Sequence, residues 1–97
     1  MTRARWQRAE GVLCEIVEGR AMLVAPEGRE LLTLNPVGTL VWEELGVTGD
    51  AQELARRVAT RYPGVPAAQV GADVDAFLAD LHAAGLVEVD ARDAGQR

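Results

Sequence analysis

The chain has a single cysteine, Cys14, and a single histidine, His82, in 97 residues. One cysteine makes no internal disulfide and no thiolate cluster for zinc, and one histidine makes no His-rich metal site. No apolar run approaches the ~20 residues that a membrane-spanning helix requires. The opening Met-Thr-Arg-Ala-Arg-Trp-Gln-Arg carries charge but no apolar stretch like that of a secretory signal, so the expected setting is cytoplasmic. Basic residues are in the minority. Ten Lys+Arg against 15 Asp+Glu leave a net charge of −5. A duplex-binding protein displaces counterions from phosphates with cations, so this balance argues against nucleic acid as the main partner. Gly46, Gly49 and Gly64 lack the spacing and the lysine of a phosphate-cradling loop.

What is present is enough apolar material for one core. The hydrophobic fraction is 48%, well above that of disordered chains. The length fits one domain, expected to be ordered over about residues 10–89. The first half is strand-like. Val12–Val17, Ala21–Ala25 and Glu30–Leu34 are short apolar runs. They are separated by Glu18-Gly19 and Pro26-Glu27-Gly28, both turn signals. Such short gaps favour antiparallel pairing, giving a three-stranded meander whose edges stay open.

The second half is helical. Asn35-Pro36 combines an N-cap with a first-turn proline, and apolar residues at helical spacing continue to Leu45, before Gly46. Asp50 followed by Glu53 resembles a capping box opening a helix from Ala51 to Arg61, which Tyr62-Pro63-Gly64 ends. A third helix begins near Pro66 or Ala67 and stops at Ala83-Ala84-Gly85. Gly71 inside it suggests a close backbone contact. Leu86–Val89 is a last extended piece, and Asp90–Arg97 reads as a frayed polar end. The expected class is α+β, three antiparallel strands followed by three helices in the winged-helix style.

Three stretches resemble one family. Leu34-Asn35-x-x-Gly38-x-x-Val41-Trp42-x-x-Leu45 is similar to the first-helix signature of PqqD-like proteins. Glu53-Leu54 through Val58 and Tyr62 is similar to their second helix. Val70-x-x-Asp73-Val74-x-x-Phe77-Leu78-x-x-Leu81-x-x-x-Gly85-Leu86-Val87 is similar to their third helix and its exit. The likeness covers about Val12 to Val89. It does not reach the arginine-rich opening, and the short turn Gly46-Val47-Thr48 departs from the commoner pattern.

The resemblance implies a non-catalytic recognition element for ribosomally made, post-translationally modified peptides. It would bind the leader of a precursor and present it to a leader peptidase, a cyclase or another modifying enzyme. Small standalone versions occur in lasso-peptide pathways, and others serve quinone-cofactor and radical-enzyme pathways. The leader would add as a strand beside the third strand, in a cleft against the third helix. No cofactor, metal, membrane or nucleic acid is implied.

On that reading the candidate peptide-binding residues are Glu30, Leu31, Leu32, Thr33 and Leu34 on the strand, and Val70, Asp73, Val74, Phe77 and Asp80 on the helix. The unpaired main-chain groups of an edge strand suit β-augmentation. Alternation sets Leu31 and Thr33 on one face and Leu32 and Leu34 on the other, without saying which meets the core. Leu32, Leu34, Val74 and Leu81 suit the core better than ligand contact, whereas Phe77 suits either. Asp73 and Asp80 would attract a basic or polar group of the leader, and Asp75 is read as solvated.

The remaining chemistry is thin. Cys14, in a strand run, is expected to be a small buried hydrophobe, and His82 to sit near a helix C-terminus with a structural or solvent role. Trp42 is expected to pack in the core. Trp6 falls outside the expected core, as a partner contact or an arm. Arg56, Arg57 and Arg61 form the basic cluster on which a winged-helix DNA-binding reading would have to rest. Arg56, Arg57, Trp6 or the loop at Tyr62-Pro63-Gly64 could instead dock a processing enzyme.

Overall fold

The Glu18-Gly19 pair turns the chain with both φ angles positive, at 53° and 79°. That is the two-residue hairpin geometry whose twist matches its flanking strands. In the computed structural model, which describes residues 5–28 and 31–90, this turn lies within an α+β fold. Its elements, in order, are β1 (Arg5–Arg8), β2 (Leu13–Val17), β3 (Arg20–Val24), β4 (Leu31–Thr33), α1 (Pro36–Leu45), α2 (Ala51–Ala59), α3 (Ala67–Ala83) and β5 (Val87–Asp90). β2, β3 and β4 form the antiparallel meander that the sequence predicts, with β3 central. Of the expected third strand, Glu30 lies outside the described residues, as does the end of the expected polar tail, residues 91–97.

Opposed residues in the register share a face, so one side of the sheet carries Ala21 and Leu23, with no exposed area, and Leu32 beside them. Leu34 continues that face and is 4% exposed. The core behind it is built by Leu40, Val41, Trp42 and Leu45 of α1, Leu54 and Val58 of α2, and Val74, Leu78 and Leu81 of α3. Trp42 packs there as expected. Cys14 does not: all five residues of β2 are exposed, because that strand overhangs the core at the sheet's far edge.

The helix ends follow local chemistry. The Asn35 side chain accepts from the Gly38 N–H at 2.7 Å, and Pro36 opens α1. Asp50 accepts from the Gln52 N–H at 2.9 Å. The reciprocal half of a capping box does not form, because Glu53 turns instead to Arg56 and Arg57. α2 ends at Ala59, two residues before the expected Arg61, as the chain begins to turn toward Pro63. α3 closes on Gly85 at φ 79°, with Gly85 N–H donating to His82 O and Leu86 N–H to Leu81 O. This pair of bonds is a Schellman ending. Gly71 makes no close contact: a Cβ there would meet nothing within 4 Å, which corrects the reading of that glycine.

One element was not legible. β1 pairs antiparallel with β5, Arg5 to Asp90 through Arg8 to Val87, so Trp6 is neither an arm nor free. Its ring is half-buried and meets His82 edge-on, with centroids 6.1 Å apart. The main-chain N–H of Trp6 donates to Gly49 O at 2.8 Å. Gly49 must be glycine for this approach, since a Cβ would stand 2.4 Å from the Trp6 carbonyl oxygen. Arg8 donates to Trp42 O through Nη2 at 2.6 Å and lies over the Trp42 ring. It thus places a cation near the C-terminus of α1, against the Trp42 carbonyl, to which Gly46 N–H does not donate because it bonds Glu43 O instead.

Candidate functional site

β4 is an edge strand among the described residues, and its register decides what the edge offers. Leu34 N–H donates to Ala21 O at 2.8 Å. Hydrogen-bonded pairs in an antiparallel ladder recur every second residue, so Leu32 also faces β3, opposite Leu23. The N–H and C=O of Leu31 and Thr33 therefore point away from the sheet. The ladder stops at Leu34 because the buried Thr39 of α1 takes the next donor: its Oγ1 accepts from Ala21 N–H at 2.8 Å. Leu34 O is left to accept from Arg20 Nε at 3.2 Å.

Beside this edge lies a groove of about 680 Å³. One wall is Leu32, Thr33 and Leu34, continued by Asn35, Val37 and Gly38 at the start of α1. The opposite wall is α3, from Val70 to Ala84. At ~1.5 Å per residue that wall is ~21 Å long, whereas three strand residues cover only ~10 Å. Val58, Tyr62 and Val65 complete the lining from α2 and the loop after it. Phe77 leans against α1: a Cβ on Gly38 would stand 3.0 Å from its ring, so the glycine admits the ring to this position.

The groove brings together Leu32, Thr33, Leu34, Val70, Asp73, Val74, Phe77 and Asp80 from the candidate set. The Leu31 side chain points to the outer face and is 57% exposed, so only its main chain meets the edge. Glu30 lies outside the described residues. Leu34, Val70, Val74 and Leu81 are buried and form the floor; Phe77 is half-buried, between core and groove. Asp75 is not part of the lining. Sequence reasoning missed the α1 and α2 contributions. The stripe Val70, Asp73, Phe77, Asp80, Ala84, at alternating three- and four-residue steps, would have found Ala84, but nothing local points to Val58 or Val65.

The lining is mainly apolar. It carries two carboxylates, an amide, two hydroxyls and otherwise apolar groups, with Cys14 and His82 both elsewhere. Among the described residues no group of three or more His, Cys, Asp or Glu is placed to hold a metal ion, and no helix is long and apolar enough to cross a membrane. The basic cluster lies on another side. Arg57 Nε donates to Glu44 at 2.8 Å and Arg56 pairs with Glu53, so two of its three charges are already matched within the fold.

No curated protein sequence matches the chain. Its fold is similar to a chain of the solved structure "TbiB1 in Complex with the TbiA(beta) Leader Peptide", at TM-score 0.78 and 21% sequence identity, over 84% of this chain and 94% of that one. The sequence matches the family model described as "Coenzyme PQQ synthesis protein D (PqqD)" over residues 20–87. That span takes in β3, β4, the three helices and every residue lining the groove, and the chain belongs to the PqqD family.

Proposed function

We propose that this protein is a non-catalytic recognition element that binds the leader of a ribosomally made precursor peptide. The leader joins the sheet as a strand against β4, between β4 and α3. The observation that carries this reading is the juxtaposition of an edge unpaired among the described residues, at Leu31 and Thr33, with a long and mainly apolar groove walled by α3. Main-chain bonds supply affinity that does not depend on sequence, and groove contacts at alternate residues supply selection. Two findings support it. The chain belongs to the PqqD family, and TbiB1, of similar fold, is described in complex with a leader peptide.

The second open edge, β2, has no comparable groove: the small cleft beside it is lined by Arg8, Val12, Cys14, Ile16 and Trp42 among others and lacks a long helical wall. In this reading the bound leader holds its attached core peptide near a leader peptidase or cyclase, raising the local concentration of substrate. A labelled leader from a precursor encoded beside this chain's gene, titrated into the purified protein, tests the proposal. Saturable binding with slowed amide exchange at Leu31 and Thr33 is expected. Binding with exchange slowed only at β2, or no binding, would reject it.

A further inference from the structure

We infer that the groove selects an extended segment in which two cationic side chains flank an apolar one at alternate positions, a cation–x–apolar–x–cation pattern. This rests on the leader-binding reading and names what that site selects. Asp73, Phe77 and Asp80 form one stripe on the groove side of α3. The two carboxylates lie ~10 Å apart along the helix axis, with the aromatic ring between them. Both are exposed, and among the described residues neither forms an ion pair and no cationic side chain lines the groove. The net charge of −5 further disfavours an acidic occupant.

The register of β4 fixes how an occupant presents its side chains. Occupant residues bonded to Leu31 and Thr33 share their outward face. The residue opposite Leu32 shares the face of Leu32 and points into the groove, where Leu32 and Phe77 both line the space. Groove-facing side chains then recur every ~6.8 Å, so positions i and i+4 stand ~14 Å apart. The long flexible stems of Lys and Arg take up the ~3 Å excess over the Asp73–Asp80 spacing, and an apolar residue at i+2 meets Phe77.

Three acetylated and amidated heptapeptides test the inference: Thr-Lys-Thr-Leu-Thr-Lys-Thr, and the same sequence with Gln or with Glu replacing both lysines. Each is titrated into the 15N-labelled protein at about 0.05 M and about 0.5 M salt, which brackets strong and weak screening. All three are expected to shift the amide signals of Leu31 and Thr33, with affinity in the order Lys, Gln, Glu. The Lys peptide should exceed the Gln peptide roughly three- to tenfold at low salt and less at high salt. In the Asp73→Asn, Asp80→Asn double variant that preference should shrink to within about twofold. Equal binding of the Lys and Gln peptides at low salt, or an unchanged preference in the double variant, would overturn the pattern while leaving edge addition standing. Failure of all three peptides to move the β4 signals would overturn edge addition itself.

Discussion

Proline substitution at two adjacent positions of β4 should have opposite consequences, because neighbouring main-chain groups face opposite ways. Thr33 N–H points to the open edge, so Thr33→Pro removes no bond of the folded protein. Proline is tolerated where an edge strand's N–H faces solvent, and the residue before it is already extended. The melting temperature should move by no more than a few degrees. For an added strand the same change deletes one donor, worth about 1 kcal/mol, and sets a ring in its path. Leader affinity should therefore fall about tenfold or more, since 1.4 kcal/mol is a factor of ten.

Leu32→Pro instead removes the donor that faces Leu23, a residue with no exposed area. Leaving that carbonyl unsatisfied costs about 1–3 kcal/mol. A domain of this size loses ~4–8 °C per kcal/mol, so a drop of at least about 4 °C is expected. Circular-dichroism melts and fluorescence anisotropy with a labelled leader read both quantities. If Thr33→Pro melts as early as Leu32→Pro, or binds leader like the wild type, the assigned direction of the β4 hydrogen bonds is wrong.

Three further substitutions probe the supports of the site. Thr39→Val keeps the shape but leaves the buried Ala21 N–H without its acceptor, so about 1–3 kcal/mol should be lost; an unchanged melt would show that another group satisfies that donor. Gly38→Ala brings a Cβ to 3.0 Å from the Phe77 ring, which must move. Leader affinity should fall severalfold with shifted Phe77 ring proton signals, and unaltered affinity would show that the ring position does not shape the groove. Gly49→Ala sets a Cβ 2.4 Å from Trp6 O and must lift β1. Amide exchange in β1 and β5 should accelerate while leader affinity holds, and unchanged exchange would contradict the close approach.

The readings that held were those whose causes lie within a few residues of one another. Asn35-Pro36 opens α1 and Gly85 ends α3 because both act on hydrogen bonds of the adjacent turn. Glu18-Gly19 sets a hairpin through two φ angles. Where such a signal has a rival, it fails: the spacing offers Glu53 as a capping partner of Asp50, but the guanidiniums of Arg56 and Arg57, one turn away, engage it. The apolar run around Cys14 points to burial, yet the residue is exposed. A run alone does not say that its strand lies at an overhanging edge.

Alternation, caps and the apolar stripe of α3 are properties of the chain's own periodicity, so the sequence by itself settled the order of elements from β2 to β5, the placement of Asp73, Phe77 and Asp80 on one helix, and the likeness to the PqqD family. Distant partners decided the rest. β1 is four residues whose mate lies some 80 positions away, held by a glycine and an arginine with no local signature. The direction of the free hydrogen bonds on β4 follows from the bond Leu34 gives to Ala21, and the end of the ladder from Thr39 of α1. The groove exists because α1, α2 and α3 converge on that edge, an arrangement set by burying three apolar faces together and carried by no single stretch of the chain.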